Sequence, residues 1–152
     1  MDILIGAITI GTITPVINSI STISQNVFSM LNLIKTTASQ PDVHIFLSNS
    51  DIEATLYLIH TIISEIPSYY NDSVSIIIAL QNMQQIILEI ELELKNIHQQ
   101  ILYNDSLYIM KNIRGYNITP IIEKISNKIL ILDKRKENLF RTLEIFKNCV
   151  KK

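Results

Sequence analysis

Tryptophan is missing from this chain of 152 residues, cysteine occurs once, glycine three times and proline four times. A lone thiol, Cys149, excludes an internal disulfide and suits a reducing compartment. The three glycines are too scattered to form a phosphate-cradling loop, and the prolines stand singly, as helix punctuation does. Charge is missing too: between Asp2 and Lys35 there is no Lys, Arg, Asp or Glu. That opening is half large apolar side chains and half Ser, Thr, Asn and Gly, so it has to be hidden in the core, in a partner or in a bilayer. The secretory pattern is absent, since no basic stretch precedes the apolar one and no small-residue cleavage site follows.

What is present is isoleucine, thirty-two residues of it, within an apolar fraction of 47%. Part of that excess, with the abundant Asn and Lys, is what AT-rich coding DNA yields, as in some viruses and parasites. Residues 1–152 are enough for one domain with a well-formed core. Net charge is −1 but polarised: residues 1–118 carry four basic and ten acidic groups, residues 119–152 nine basic and four acidic. Segments of such opposite sign in one helical protein are expected to lie against each other. Three glycosylation-type triplets, Asn71-Asp72-Ser73, Asn104-Asp105-Ser106 and Asn117-Ile118-Thr119, are what an Asn-rich chain produces by chance.

Periodicity decides the fold class. From Ile76 the positions Leu80, Met83, Ile87, Ile90, Leu94, Ile97 and Ile101 advance by alternating fours and threes, the seam of a coiled coil. Ile118, Ile122, Ile125, Ile129, Leu132, Lys136, Leu139, Leu143, Phe146 and Val150 do the same, with Lys136 the one charge. So do Ile10, Ile13, Ile17, Ile20, Ser24, Val27, Leu31 and Ile34, and a shorter run from Ile52 through Leu56, Ile59 and Ile63 to Ile66. Extra apolar positions beside the seams, among them Val16, Ile23, Ile86, Ile121 and Phe140, widen each stripe beyond what a two-stranded coil needs. The pattern predicts an all-α domain, an antiparallel left-handed four-helix bundle with helices over 14–36, 51–66, 73–103 and 120–150 and an apolar N-terminal extension over 1–13. Thr14-Pro15 and Thr119-Pro120 read as helix starts, Ser50 or Asp51 as a cap, and Pro67 as a stop. The third helix is expected to end near Asn104 or to continue bent to Gly115. Ala38 to Asn49 reads as a linker whose patch Val43 to Leu47 plugs the bundle.

Chemistry is scarce by comparison. His44, His60 and His98 lack a second His or Cys at ligand spacing. The Glu-x-x-His of di-iron bundles is broken, with Lys95 three before His98 and Glu53 seven before His60. Glu89, Glu91 and Glu93 read as a solvated face. With no nucleophile elbow and no triad, the reading is a non-enzyme without catalytic residues, metal, cofactor or small-molecule substrate. The basic C-terminal segment is interleaved with Asp133, Glu137 and Glu144 and has no stacking aromatics, which argues against nucleic acid. Two sets of contact residues remain. Ile3, Leu4, Ile5, Ile8, Ile10 and Ile13 would meet a membrane or a partner, and Lys134, Arg135, Arg141, Lys147, Lys151 and Lys152 an anionic lipid or acidic partner.

The opening Ile/Gly/Ala/Thr residues run into Asn26-Val27-Phe28-Ser29-Met30-Leu31, then a loop, then Asp51-Ile52-Glu53-Ala54-Thr55-Leu56-Tyr57-Leu58-Ile59. That plan resembles the fungal HeLo and HeLo-like domains and the bundle of necroptosis executioners related to mixed-lineage kinases, over about residues 1–66 and without a signature motif. The resemblance implies a membrane-permeabilising bundle in cell death, acting through its first segment. Two functions follow. One is a cytoplasmic structural or adaptor bundle that binds a protein partner or itself. The alternative is a membrane-associated bundle whose residues 3–34 contact or permeabilise a bilayer.

Overall fold

The computed structural model describes residues 12–38, 40–106 and 118–150. These form α1 (Ile13–Thr37), α2 (Pro41–Asn49), α3 (Ile52–Ser64), a 3-10 turn (Ser68–Tyr70), α4 (Val74–Ser106) and α5 (Thr119–Val150), with no strand among the described residues. The domain is all-α, as its periodicity predicts. Of the expected contact residues, Ile3, Leu4, Ile5, Ile8, Ile10, Lys151 and Lys152 lie outside the described residues, as does Gly115.

The apolar seams become the core. Every seam residue of α4, from Ile76 to Ile101, is at most 1% exposed. Val27, Leu31 and Ile34 of α1, Ile52, Leu56 and Ile59 of α3, and Ile125, Leu132 and Leu139 of α5 join them in one continuous cluster. Each such side chain stabilises the fold by about 1.5–3 kcal/mol on burial. Ser24, the polar seam member of α1, is buried with them.

α4 is the central element, packed closely on both α1 and α5, while α3 touches α1 and α5 more sparingly. Its stripe has the width for two neighbours, because Ile77 and Ile86 flank the seam and are equally buried. Polar contacts fix the register. Lys128 of α5 reaches Glu89 of α4, and Arg135 donates to the Asn82 carbonyl. On the other side Gln84 donates to the Ser19 hydroxyl at 2.7 Å, and Lys35 of α1 bonds Glu53 of α3 at 2.7 Å.

Several boundaries depart from the sequence pattern. α1 begins at Ile13, with Thr12 as its extended N-cap, so Pro15 sits third in the helix and not first. At α5, Pro120 is second. Both positions are tolerated because the first four N–H groups of a helix have no intrahelical acceptor, so a missing donor costs little there. α3 ends at Ser64, two residues before Ile66, which stays half-buried beyond it.

The expected linker is mostly helix. Gln40 is extended, Pro41 takes the first helical position, and Asp42 lies in the first turn, where the helix dipole favours a carboxylate. Val43 and Phe46, three apart, are buried on one side, which anchors α2 on the bundle as a plug would be. His44 Nε2 donates to the Ala38 carbonyl at 2.7 Å and ties the α1–α2 corner. Asp51 makes the next corner with φ 54° and ψ 22°, a left-handed conformation that its short polar side chain tolerates.

Candidate interaction surfaces

Acids expected on a solvated face are in part inside. Glu91 is 4% exposed, facing a packed side of α4, and is matched by Lys95 one turn on at 3.0 Å. Glu89 accepts from Lys128 at 2.9 Å and from Gln85 at 3.3 Å. The Lys128 hydrogen bond holds the Glu89 carboxyl below its ordinary pKa, against a smaller opposing effect of burial. Of the three, Glu93 alone, bonded by Asn96 at 3.4 Å, has no cation among the described residues.

Lys136 does not meet these acids, as a seam lysine reaching across to α4 would. It bonds Asp133 of its own helix at 3.3 Å and lies half-buried. Helical geometry explains this: Lys128 and Arg135, seven apart, share the side turned to α4, and Lys136 is rotated by about 100° from Arg135.

The basic set therefore divides. Arg135 is half-buried in the α4–α5 contact, whereas Lys134, Arg141 and Lys147 are exposed, together with Lys124. Exposed apolar side chains accompany them, Leu130 at 61%, Phe140 at 49% and Ile145 at 63%. Ile13, from the other set, is 2% exposed and belongs to the core.

Two clefts flank α5 at opposite ends. The first, about 700 Å³, lies between α2 and the N-terminal half of α5. Ile45, Phe46, Ile122, Ile129 and Leu130 line it, together with Asp42, Asp51 and Asp133 and no basic residue. Asp133 has its ion pair with Lys136, while neither Asp42 nor Asp51 has a cation within ion-pair distance among the described residues. The second cleft, about 590 Å³, lies between the end of α3 and the C-terminal part of α5, with Ile62, Ile66, Tyr69, Tyr70, Phe140 and Leu143 on its walls. Tyr70 is 6% exposed; burial, followed by Tyr69 and Cys149 nearby, pushes its phenol pKa up.

No protein-family model, no curated protein and no solved structure matches the chain. Among the described residues no group of His, Cys, Asp and Glu is placed to hold a metal ion, and no helix is long and apolar enough to cross a membrane.

A third surface is not among those the sequence reading singles out. Val74, Ile78, Gln81, Gln85, Leu88 and Leu92 of α4 also advance by fours and threes, and Gln99 and Tyr103 extend the same side. This second stripe carries one charge, Lys95, between Leu92 and Gln99, and its apolar members are exposed, Leu88 at 42% and Leu92 at 52%. It is legible in principle, since its period equals that of the core seam. The fully apolar seam masks it, because glutamine occupies two of its central positions.

Proposed function

We propose that the protein is a non-catalytic helical bundle that works by binding other protein chains, its own copies included. The carrying observation is α4, which has one heptad stripe buried in the core and a second exposed along its outer side. A face repeating every 3.5 residues matches another helix that supercoils with it, and a monomer with no partner has little use for it. The finer architecture belongs to the same proposal. Four helices, α1, α3, α4 and α5, form a bundle whose consecutive members run antiparallel. The opposed contacts Lys35–Glu53 and Phe28–Tyr57 support this for α1 and α3, and Lys128–Glu89 with Arg135–Asn82 for α4 and α5. The 3.5-residue spacing supports a left-handed twist.

The test is a charge placed on the outer stripe. Leu88→Glu with Leu92→Glu leaves the core untouched, so the circular dichroism and melting temperature should stay unchanged. Sedimentation velocity should show a weakened assembly, and unchanged association in this variant would remove α4 from the proposal.

The membrane reading has one observation in its favour. Lys124, Lys134 and Arg141 are exposed on α5 beside exposed Leu130 and Ile145, a basic side with apolar interruptions. Each such cation contributes about 1 kcal/mol near an anionic leaflet. The HeLo-like resemblance belongs with this second reading.

A further inference from the structure

The two ends of α5 carry complementary surfaces that one molecule cannot bring together. At its N-terminal half is the cleft lined by apolar side chains and the carboxylates Asp42, Asp51 and Asp133, and by no base. At its C-terminal end, Arg141 and Ile145, four apart on one side of the helix, set an exposed cation beside an exposed apolar side chain, while Phe140, Glu144 and Lys147 line the second cleft. From Asp133, the last acid of the cleft, to Arg141 the helix rises roughly 12 Å. That exceeds one Debye length at physiological salt, so attraction between the two charges within a chain is largely screened. The helix is continuous between them and holds them apart.

We infer that the protein self-assembles head to tail, the C-terminal end of α5 in one copy seating Arg141 and Ile145 against the acidic α2–α5 cleft of the next. This rests on reading the protein as an assembling bundle, and it names the partner as a second copy and the surface as this cleft. Charge complementarity carries the inference. Among the described residues, Asp42 and Asp51 have no cation within ion-pair distance, and Arg141 has no carboxylate, so each is free to meet the other. The apolar members match as well: Ile45 (57% exposed) and Leu130 line the cleft, and Ile145 is the most exposed apolar side chain on the other end of α5. Because the two surfaces differ, the contact is heterologous. Each copy keeps one unused surface, and assembly proceeds to open chains or rings, not to a closed two-fold dimer.

The experiment uses the full chain and two variants at exposed sites, which leave the core intact. Leu130→Glu spoils the cleft, and Ile145→Glu with Arg141→Glu spoils the other end. Sedimentation velocity of the wild type should show mass rising with concentration and falling between low and high salt. With the α4 stripe also blocked by Leu88→Glu and Leu92→Glu, each variant should be monomeric, with association roughly tenfold or more weaker, and an unchanged circular dichroism spectrum. Mixed in equal amounts in that background, the two variants should form a dimer and nothing larger, because one sound cleft then meets one sound end. Failure of the mixture to form that dimer, or assembly persisting in both variants in that background, would overturn head-to-tail packing. Assembly undiminished by either variant while the stripe is intact, but lost in Leu88→Glu with Leu92→Glu alone, overturns this inference and leaves the assembling bundle standing on its α4 stripe. A wild type monomeric at every concentration and salt overturns self-assembly itself. Binding to anionic vesicles by a monomeric wild type would likewise overturn it and transfer Arg141 to the lipid reading.

Discussion

Glu91 shows how one residue tests the packing of α4. Its carboxylate is almost fully buried, and Lys95, half in solvent, is the cation that reaches it. Lys95→Met would leave the charge buried and unmatched, a loss of about 1–3 kcal/mol in a urea melt. Adding Glu91→Gln should recover most of that loss, and a double variant as unstable as the single one would show that Lys95 acts through its packing instead. Glu89 gives a pH test. Its folded pKa lies below the ordinary value of 4.5 because Lys128 stabilises the carboxylate. A group depressed in this way contributes stability above its unfolded pKa, and the contribution disappears as pH falls through the folded one. Both side chains are partly in solvent, at 24% and 37%, so the pair is worth no more than about 0.5 kcal/mol. Lys128→Met should therefore lower stability slightly at pH 7 and flatten the acid limb of a melting-temperature profile, the difference from wild type vanishing as pH falls through the Glu89 pKa.

At the scale of elements, the helices do not share the core equally. α4 is buried against α1 on one side and α5 on the other, whereas α2 rests on Val43 and Phe46. Amide hydrogen exchange should be slowest in the middle of α4 and fastest, among the helices, in α2. Equal protection in the two would contradict the contact pattern. The long helices were legible in the sequence because a 3.5-residue period sustained over eight seam positions has no strand counterpart. α2 was not, because nine residues are too few for that period to repeat and its Ser, His and Asn resemble a loop. The acidic cleft was illegible for a different reason. Asp42, Asp51 and Asp133 are brought together by a corner at Asp51 and by packing across the whole chain, and no spacing announces that. Lys136 stood out correctly as the one charge on its seam, but its partner is decided by rotation about α5, which a run of seam positions does not contain.

The whole molecule is close to neutral yet strongly polar along its length. A liposome flotation assay separates the two readings of residues 1–11, which lie outside the described residues. On the membrane reading, a chain truncated to begin at Thr12 should lose binding to anionic vesicles while keeping its melting temperature, since Ile13 and the rest of the α1 seam are retained. Lost binding accompanied by a large fall in stability would instead assign those residues to the core. The meeting of Ser19 with Gln84 has a consequence for biosynthesis. The two residues are 65 apart in sequence, so α1 is made long before the helix that covers it. At roughly 5–20 residues per second, α1 waits about 3–13 s on the ribosome before its partner is translated, and longer before that partner clears the exit tunnel. During that interval an isoleucine-rich stripe is bare. α4 and α5, in contrast, are neighbours in sequence and can pair as soon as both emerge. The nascent chain is thus most vulnerable to aggregation between the synthesis of α1 and that of α4, and a chaperone that holds apolar helices would act on α1 and release it when α4 arrives.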